Sequence, residues 1–96
     1  MDKKELLSIQ CINAQSLLCH FDSIETLLHE EEIDILCICE TWLDSSVDSK
    51  FIYIPNFNIT RCDAGRGAGV CIYSRDSLKI KILNTGLDKT ENVEDI

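Results

Sequence analysis

The residue in this chain best placed to do chemistry is Glu40. It directly follows the apolar run Asp34-Ile35-Leu36-Cys37-Ile38-Cys39 and precedes Thr41-Trp42-Leu43. A run rich in β-branched residues and cysteine, with no polar alternation, predicts a strand buried on both faces. A carboxylate at the end of such a strand costs free energy unless a charge or a hydrogen-bonding group meets it. In open α/β sheets, the carboxyl ends of parallel strands form the ligand crevice. Asn13 stands in the equivalent place, as the first residue past an earlier apolar segment over residues 6–12.

Other chemistry-bearing residue types give weaker patterns. The six cysteines, Cys11, Cys19, Cys37, Cys39, Cys62 and Cys71, contain no C-x-x-C pair, so zinc-knuckle and thioredoxin readings have no support. Cys11, Cys37, Cys39 and Cys71 are expected as small core hydrophobes. His20 and His29 lack nucleophile or metal spacing and read as structural or exposed. Gly65, Gly67 and Gly69 could suggest a phosphate-cradling loop, but that mechanism needs a helix directly after the glycines. A strand pattern follows instead, so the glycines are expected in a hairpin with positive-φ positions. Trp42, just past the buried run, either stacks on a base or sugar or plugs the core and hydrogen-bonds through its indole N–H.

The elements that must position Glu40 and Asn13 are legible in order. Residues 6–12 predict a first strand, ended by the polar break Asn13-Ala14-Gln15-Ser16. Residues 22–32 predict a helix, with Phe21, Ile24, Leu27 and Leu28 forming one apolar stripe. Asp22 with Glu25 three residues later fits a capping box. Glu30, Glu31 and Glu32 read as a solvated exit. Strand, helix and strand in this span make a βαβ unit, with a right-handed crossover and parallel strands. That unit puts Asn13 and Glu40 at one edge of the sheet. A hairpin follows, with strands at 57–61 and 70–74, and an alternating strand is expected over 78–83. The tail over 84–96 gives no clear pattern.

Composition sets the outer bounds. The 96 residues are 45% hydrophobic and 27% charged, which argues for one globular domain rather than a disordered chain. A chain this short removes only roughly 60–65% of its unfolded surface from water, so it is either a complete small fold or part of something larger. The net charge of −8 disfavours a protein that coats nucleic acid through bulk charge. No apolar stretch reaches membrane-spanning length, and the N-terminus carries no secretory h-region. An intracellular chain, nuclear or cytoplasmic and not secreted, is expected, with its thiols reduced.

Three motifs in series carry a resemblance: Ile12-Asn13-Ala14-Gln15-Ser16-Leu17, Ile33 through Leu43, and Gly65-Arg66-Gly67-Ala68-Gly69-Val70-Cys71-Ile72-Tyr73. Together they resemble the opening of an endonuclease/exonuclease/phosphatase domain, over residues 5–83. The Glu-Thr-Trp-Leu ending and the Gly-Arg-Gly-x-Gly-Val hairpin look most like the version at the N-terminus of non-LTR retrotransposon polyproteins. The resemblance implies an α/β chain forming the N-terminal half of a four-layer, DNase I-like sandwich of two packed sheets. It implies Mg²⁺ or Mn²⁺ as cofactor, DNA as partner in the complete domain, and a reverse transcriptase region elsewhere in a parent polyprotein.

By that resemblance Glu40 and Asn13 are the metal-site residues. Mg²⁺ suits such a pair, because it takes oxygen ligands and often only one or two protein carboxylates beside waters and substrate phosphate. Gln15 stands where many relatives carry an acidic residue; it and Trp42 remain candidates for substrate contact. The family's Tyr, Asp-x-Asn and Asp-His motifs have no counterpart in these 96 residues. The chain is therefore expected to be a truncated domain over 1–96, inactive alone, with an open sheet edge and an uncovered apolar face. Two alternatives stay open: a non-catalytic α/β binding module, with Glu40 paired to Arg61, Arg66 or Arg75, and a phosphatase or phosphodiesterase of the same fold.

Overall fold

A computed structural model describes residues 6–80. Its elements run β1 (Ile9–Asn13), a 3₁₀ turn (Leu18–His20), α1 (Phe21–Glu30), β2 (Ile35–Cys39), a second 3₁₀ turn (Ser49–Ile52), β3 (Phe57–Cys62) and β4 (Val70–Arg75). The four strands form one sheet in the order β1-β2-β4-β3. β1 and β2 are parallel, as the βαβ reading requires, with Asn13 opposite Cys39. β4 lies antiparallel between β2 and β3.

α1 forms where the apolar stripe predicts it. Ile24 and Leu28 are buried, and Phe21 and Leu27 pack beside them. The expected capping box is absent. The chain enters α1 already turning through the 3₁₀ segment, His20 takes the N-cap position, and no side chain caps it. Asp22 instead lies in the first turn, where the helix dipole favours negative charge.

The helix covers one face of the sheet only, and this corrects the reading of β2. Leu36 and Ile38 are buried, but Ile35 and Cys37 are half-buried and Cys39 is exposed. The buried residues meet Cys71 and Tyr73 of β4, with Leu17, Leu43, Ile52, Ile54 and Phe57 completing the core. The opposite face carries Ile9, Cys11, Ile35, Cys37, Val70 and Ile72 with little cover. Of the four cysteines expected in the core, only Cys71 is buried; Cys37 is intermediate, and Cys11 and Cys39 are exposed. Their face lacks an opposing layer among the described residues. The first strand also begins later than expected, leaving Leu6 and Leu7 exposed. Residues 78–80 form no strand, and 81–96, including the rest of that expected strand and the tail, lie outside the described residues.

Polar contacts pin the sheet at the end away from Glu40. The buried Asp34 carboxylate accepts from the Ser8 N–H at 2.9 Å and from Arg75 Nε at 3.2 Å, while Arg75 Nη2 donates to the Ile33 carbonyl at 2.8 Å. Arg75 also lies over the Phe57 ring. In the core, the Tyr73 hydroxyl donates to the Ile52 carbonyl at 2.6 Å, fixing the second 3₁₀ turn against β4. Arg61 ties the 44–49 loop to β3 through Asp63, the Val47 and Asp44 carbonyls, and Ser49.

The glycine loop joins β3 to β4, and Gly65, Gly67 and Gly69 all have positive φ, as expected of a hairpin. Gly69 is the demanding one: a Cβ there would lie 2.5 Å from Thr41 Oγ1, whereas at Gly67 it would meet nothing within 4 Å. Gly69→Ala is therefore expected to lower the unfolding free energy by about 2–4 kcal/mol, from overpacking plus left-handed strain. Gly67→Ala should lower it by only about 1 kcal/mol, and urea titration separates the two.

Burial pushes the Cys71 thiol from its ordinary 9.0 up to about 12 and likewise raises Tyr73. A thiol whose folded-state pKa is raised contributes stability fully below its unfolded value and loses it as pH climbs toward the folded one. Stability should therefore decline from about pH 9 upward, less steeply in Cys71→Ala. Iodoacetamide at neutral pH should label Cys19 and Cys62 quickly and Cys71 only in denaturant, as read by peptide mass mapping.

Candidate functional site

The parallel register of β1 and β2 brings the two candidate metal-site residues together. Asn13 ends β1 opposite Cys39, and Glu40 is the next residue. Asn13 Nδ2 donates to Glu40 Oε2 at 3.0 Å. The amide thus turns its donor, rather than its oxygen, to the carboxylate, since two facing oxygens would repel. Glu40 is half-buried and Asn13 exposed.

Backbone contacts hold Glu40 from both sides. On one side, the Cys39, Glu40 and Thr41 carbonyls accept from the N–H groups of Ala14, Ser16 and Leu17 at 2.9–3.0 Å. On the other, the Thr41 and Trp42 N–H groups donate to the Gly69 and Ala68 carbonyls at 3.3 and 2.9 Å. Within this clamp Glu40 has φ +55° and Trp42 φ +61°, and facing them Gln15 and Ser16 have φ +48° and +90°. Left-handed conformations at non-glycine residues cost on the order of 1 kcal/mol each and persist only where the surroundings fix them; they cluster at functional sites. All four lie at the carboxyl edge of β1 and β2.

None of the three arginines considered as partners meets Glu40. Arg61 pairs with Asp63 at 2.7 Å, Arg75 pairs with Asp34, and Arg66 lies over the Trp42 ring, 5.6 Å from its centroid. The Glu40 carboxylate therefore lies beside a neutral amide, without a cationic partner among the described residues. Nor do three or more His, Cys, Asp or Glu side chains gather as a metal-binding group among the described residues. Any cation here would rest on Glu40, with Asn13 beside it and water or substrate oxygen filling the remaining positions, an arrangement that suits Mg²⁺ or Mn²⁺.

Gln15 is exposed and lines a cleft of about 290 Å³ on the helix side of this edge, together with Asn13, His20, Ser23, Ile24 and Leu27. His20 Nδ1 meets the Ser16 carbonyl at 3.1 Å, a loop-ordering contact. Trp42 lies on the other side, against the glycine loop, so the two substrate-contact candidates flank Glu40 without meeting. The Trp42 indole N–H is buried and has no acceptor among the described residues. Trp42 is half-buried and lies outside the hydrophobic core, so the core-plug role with a satisfied N–H is not what the structure shows. Arg66, read from the sequence as a possible partner of Glu40 and as part of the glycine hairpin, rests instead on the Trp42 ring.

An archaeal AP endonuclease, from Archaeoglobus fulgidus, superposes with a TM-score of 0.64 at 23% identity, over 72% of this chain and 27% of that one. The 3′ phosphatase NExo from Neisseria, solved with a product DNA hairpin, gives 0.66 at 24% identity, over 73% and 28%. The AP endonuclease LMAP from Leishmania major gives 0.61 at 18% identity, over 80% and 29%. These likenesses establish the fold: a fragment of the DNase I-like architecture, spanning under a third of each solved relative. No curated protein matches the chain. Its sequence matches the Endonuclease/Exonuclease/phosphatase family over residues 11–91, and the chain belongs to that family.

Proposed function

We propose that this chain supplies the Glu40-bearing part of a divalent-cation-dependent endonuclease that hydrolyses DNA phosphodiester bonds. The observation that carries this reading is the Asn13–Glu40 pair at the carboxyl edge of parallel strands, with a carboxylate that no arginine neutralises. Glu40 would hold Mg²⁺ or Mn²⁺, and Asn13 would fix the carboxylate's orientation through its Nδ2 donor. When bound, the cation offsets the charge of the scissile phosphate and stabilises charge developing in the transition state.

DNA as substrate is supported by the named activities of the structural relatives, two AP endonucleases and a phosphatase solved with DNA. The 3′ phosphatase among them favours terminal phosphate hydrolysis as a second reading. The Glu-Thr-Trp-Leu segment and the Gly-Arg-Gly hairpin support a retrotransposon-type nicking enzyme, with a reverse transcriptase region in the parent polyprotein. Among the described residues no helix is long and apolar enough to cross a membrane.

The groups that would activate water and hold the scissile phosphate are not expected in this stretch, so the 96-residue chain should bind the cation without turning over. Mn²⁺ titration followed by electron paramagnetic resonance tests the reading. Glu40→Gln should weaken Mn²⁺ binding by about tenfold or more, equivalent to losing at least about 1.4 kcal/mol. Asn13→Ala should weaken it less, because it removes only the orienting contact. Unchanged affinity in a folded Glu40→Gln chain would refute the assignment.

A further inference from the structure

Three arginines lie among the described residues that form the sheet and its hairpin, and two are fully committed. Arg61 spends its guanidinium on Asp63, two backbone carbonyls and Ser49. Arg75 spends its own on Asp34 and the Ile33 carbonyl. Arg66 is different. It is exposed, it has no carboxylate partner among the described residues, and its guanidinium rests on the Trp42 ring. Such stacking orients the guanidinium while leaving its in-plane N–H donors available, and the planar fork matches a phosphate.

The backbone places this cation at the edge that holds Glu40. Trp42 is two residues past Glu40, and its N–H is bonded to Ala68 in the same loop as Arg66. Gly65 and Gly67, both at positive φ, flank Arg66 and raise it at the hairpin tip. The stack also occupies one face of the Trp42 ring. In a chain of net charge −8, an uncommitted arginine on the same edge as the candidate cation site has a clear use.

We propose that Arg66, seated on Trp42, is a phosphodiester-binding subsite that holds a nucleic-acid backbone beside Glu40. This rests on the reading of Glu40's edge as a nucleic-acid site, but it needs no metal. It assigns Arg66 a positioning role: the guanidinium fixes where the strand lies relative to the carboxylate, without reading bases.

The chain has one tryptophan, so its fluorescence reports on Trp42 alone. The test titrates the full chain with an oligothymidylate of about ten nucleotides in excess EDTA. Trp42 emission should change on binding, and anisotropy of a labelled oligomer gives Kd for the variants. Arg66→Ala should weaken binding by about three- to tenfold and lower the dependence of log Kd on log salt by about 0.7, the loss of one phosphate contact. Arg66→Lys, which keeps the charge but loses the fork and the stack, should fall between. The oligomer is titrated without metal and the cation assignment is read by Mn²⁺ titration, so failure of one and failure of the other are separable. Absence of oligomer binding, an unchanged Kd and salt slope in Arg66→Ala, or an equal fluorescence response to inorganic phosphate would each overturn the proposal.

Discussion

Backbone hydrogen bonds to residues 39–42 from both sides are what the site depends on. The loop after β1 takes the carbonyls of this segment, and the glycine loop before β4 takes its N–H groups. Neither loop could do this alone, because the segment leaves the sheet with two residues in left-handed conformation. The parallel pairing of β1 and β2 supplies the first grip, and the antiparallel pairing of β2 and β4 supplies the second. Close approach at Gly69, where Thr41 Oγ1 fills the space of a side chain, lets the second loop come near enough. The position of a single carboxylate thus follows from the topology of three strands.

Charge is distributed to match. Asp34 and Arg75 sit at the far end of the strands, where the pair locks the start of β2 to the end of β4. Arg61 and Asp63 do similar work for the loop beside β3. With these charges satisfied within the fold, the Glu40 edge of the sheet retains a carboxylate held by an amide and a guanidinium resting on an indole.

Much of this was legible in the sequence, for identifiable reasons. The stripe of Phe21, Ile24, Leu27 and Leu28 has a helical period, and the βαβ spacing alone places Asn13 beside Glu40. The glycine hairpin followed from a strand pattern directly after Gly69. What failed did so because it depended on what lies across the sheet. An unbroken apolar run at 35–39 reads as doubly buried, yet one layer of helix leaves Ile35, Cys37 and Cys39 with little cover. The cap at Asp22 failed because the preceding 3₁₀ turn had already started the helix, which no side-chain pattern announces. The commitments of the three arginines, and so the distinct status of Arg66, are tertiary facts with no local signature.

The left-handed backbone at Glu40 narrows what evolution can do with this position. Glycine, asparagine and aspartate accept that conformation more readily than other residues do. Glycine and asparagine would relax the chain but discard the negative charge. Aspartate would keep the charge, yet it is one methylene shorter and falls short of the Asn13 amide. A glutamate here therefore sits on a narrow ridge in sequence space: the substitutions most comfortable for the main chain are those that remove or shorten the carboxylate.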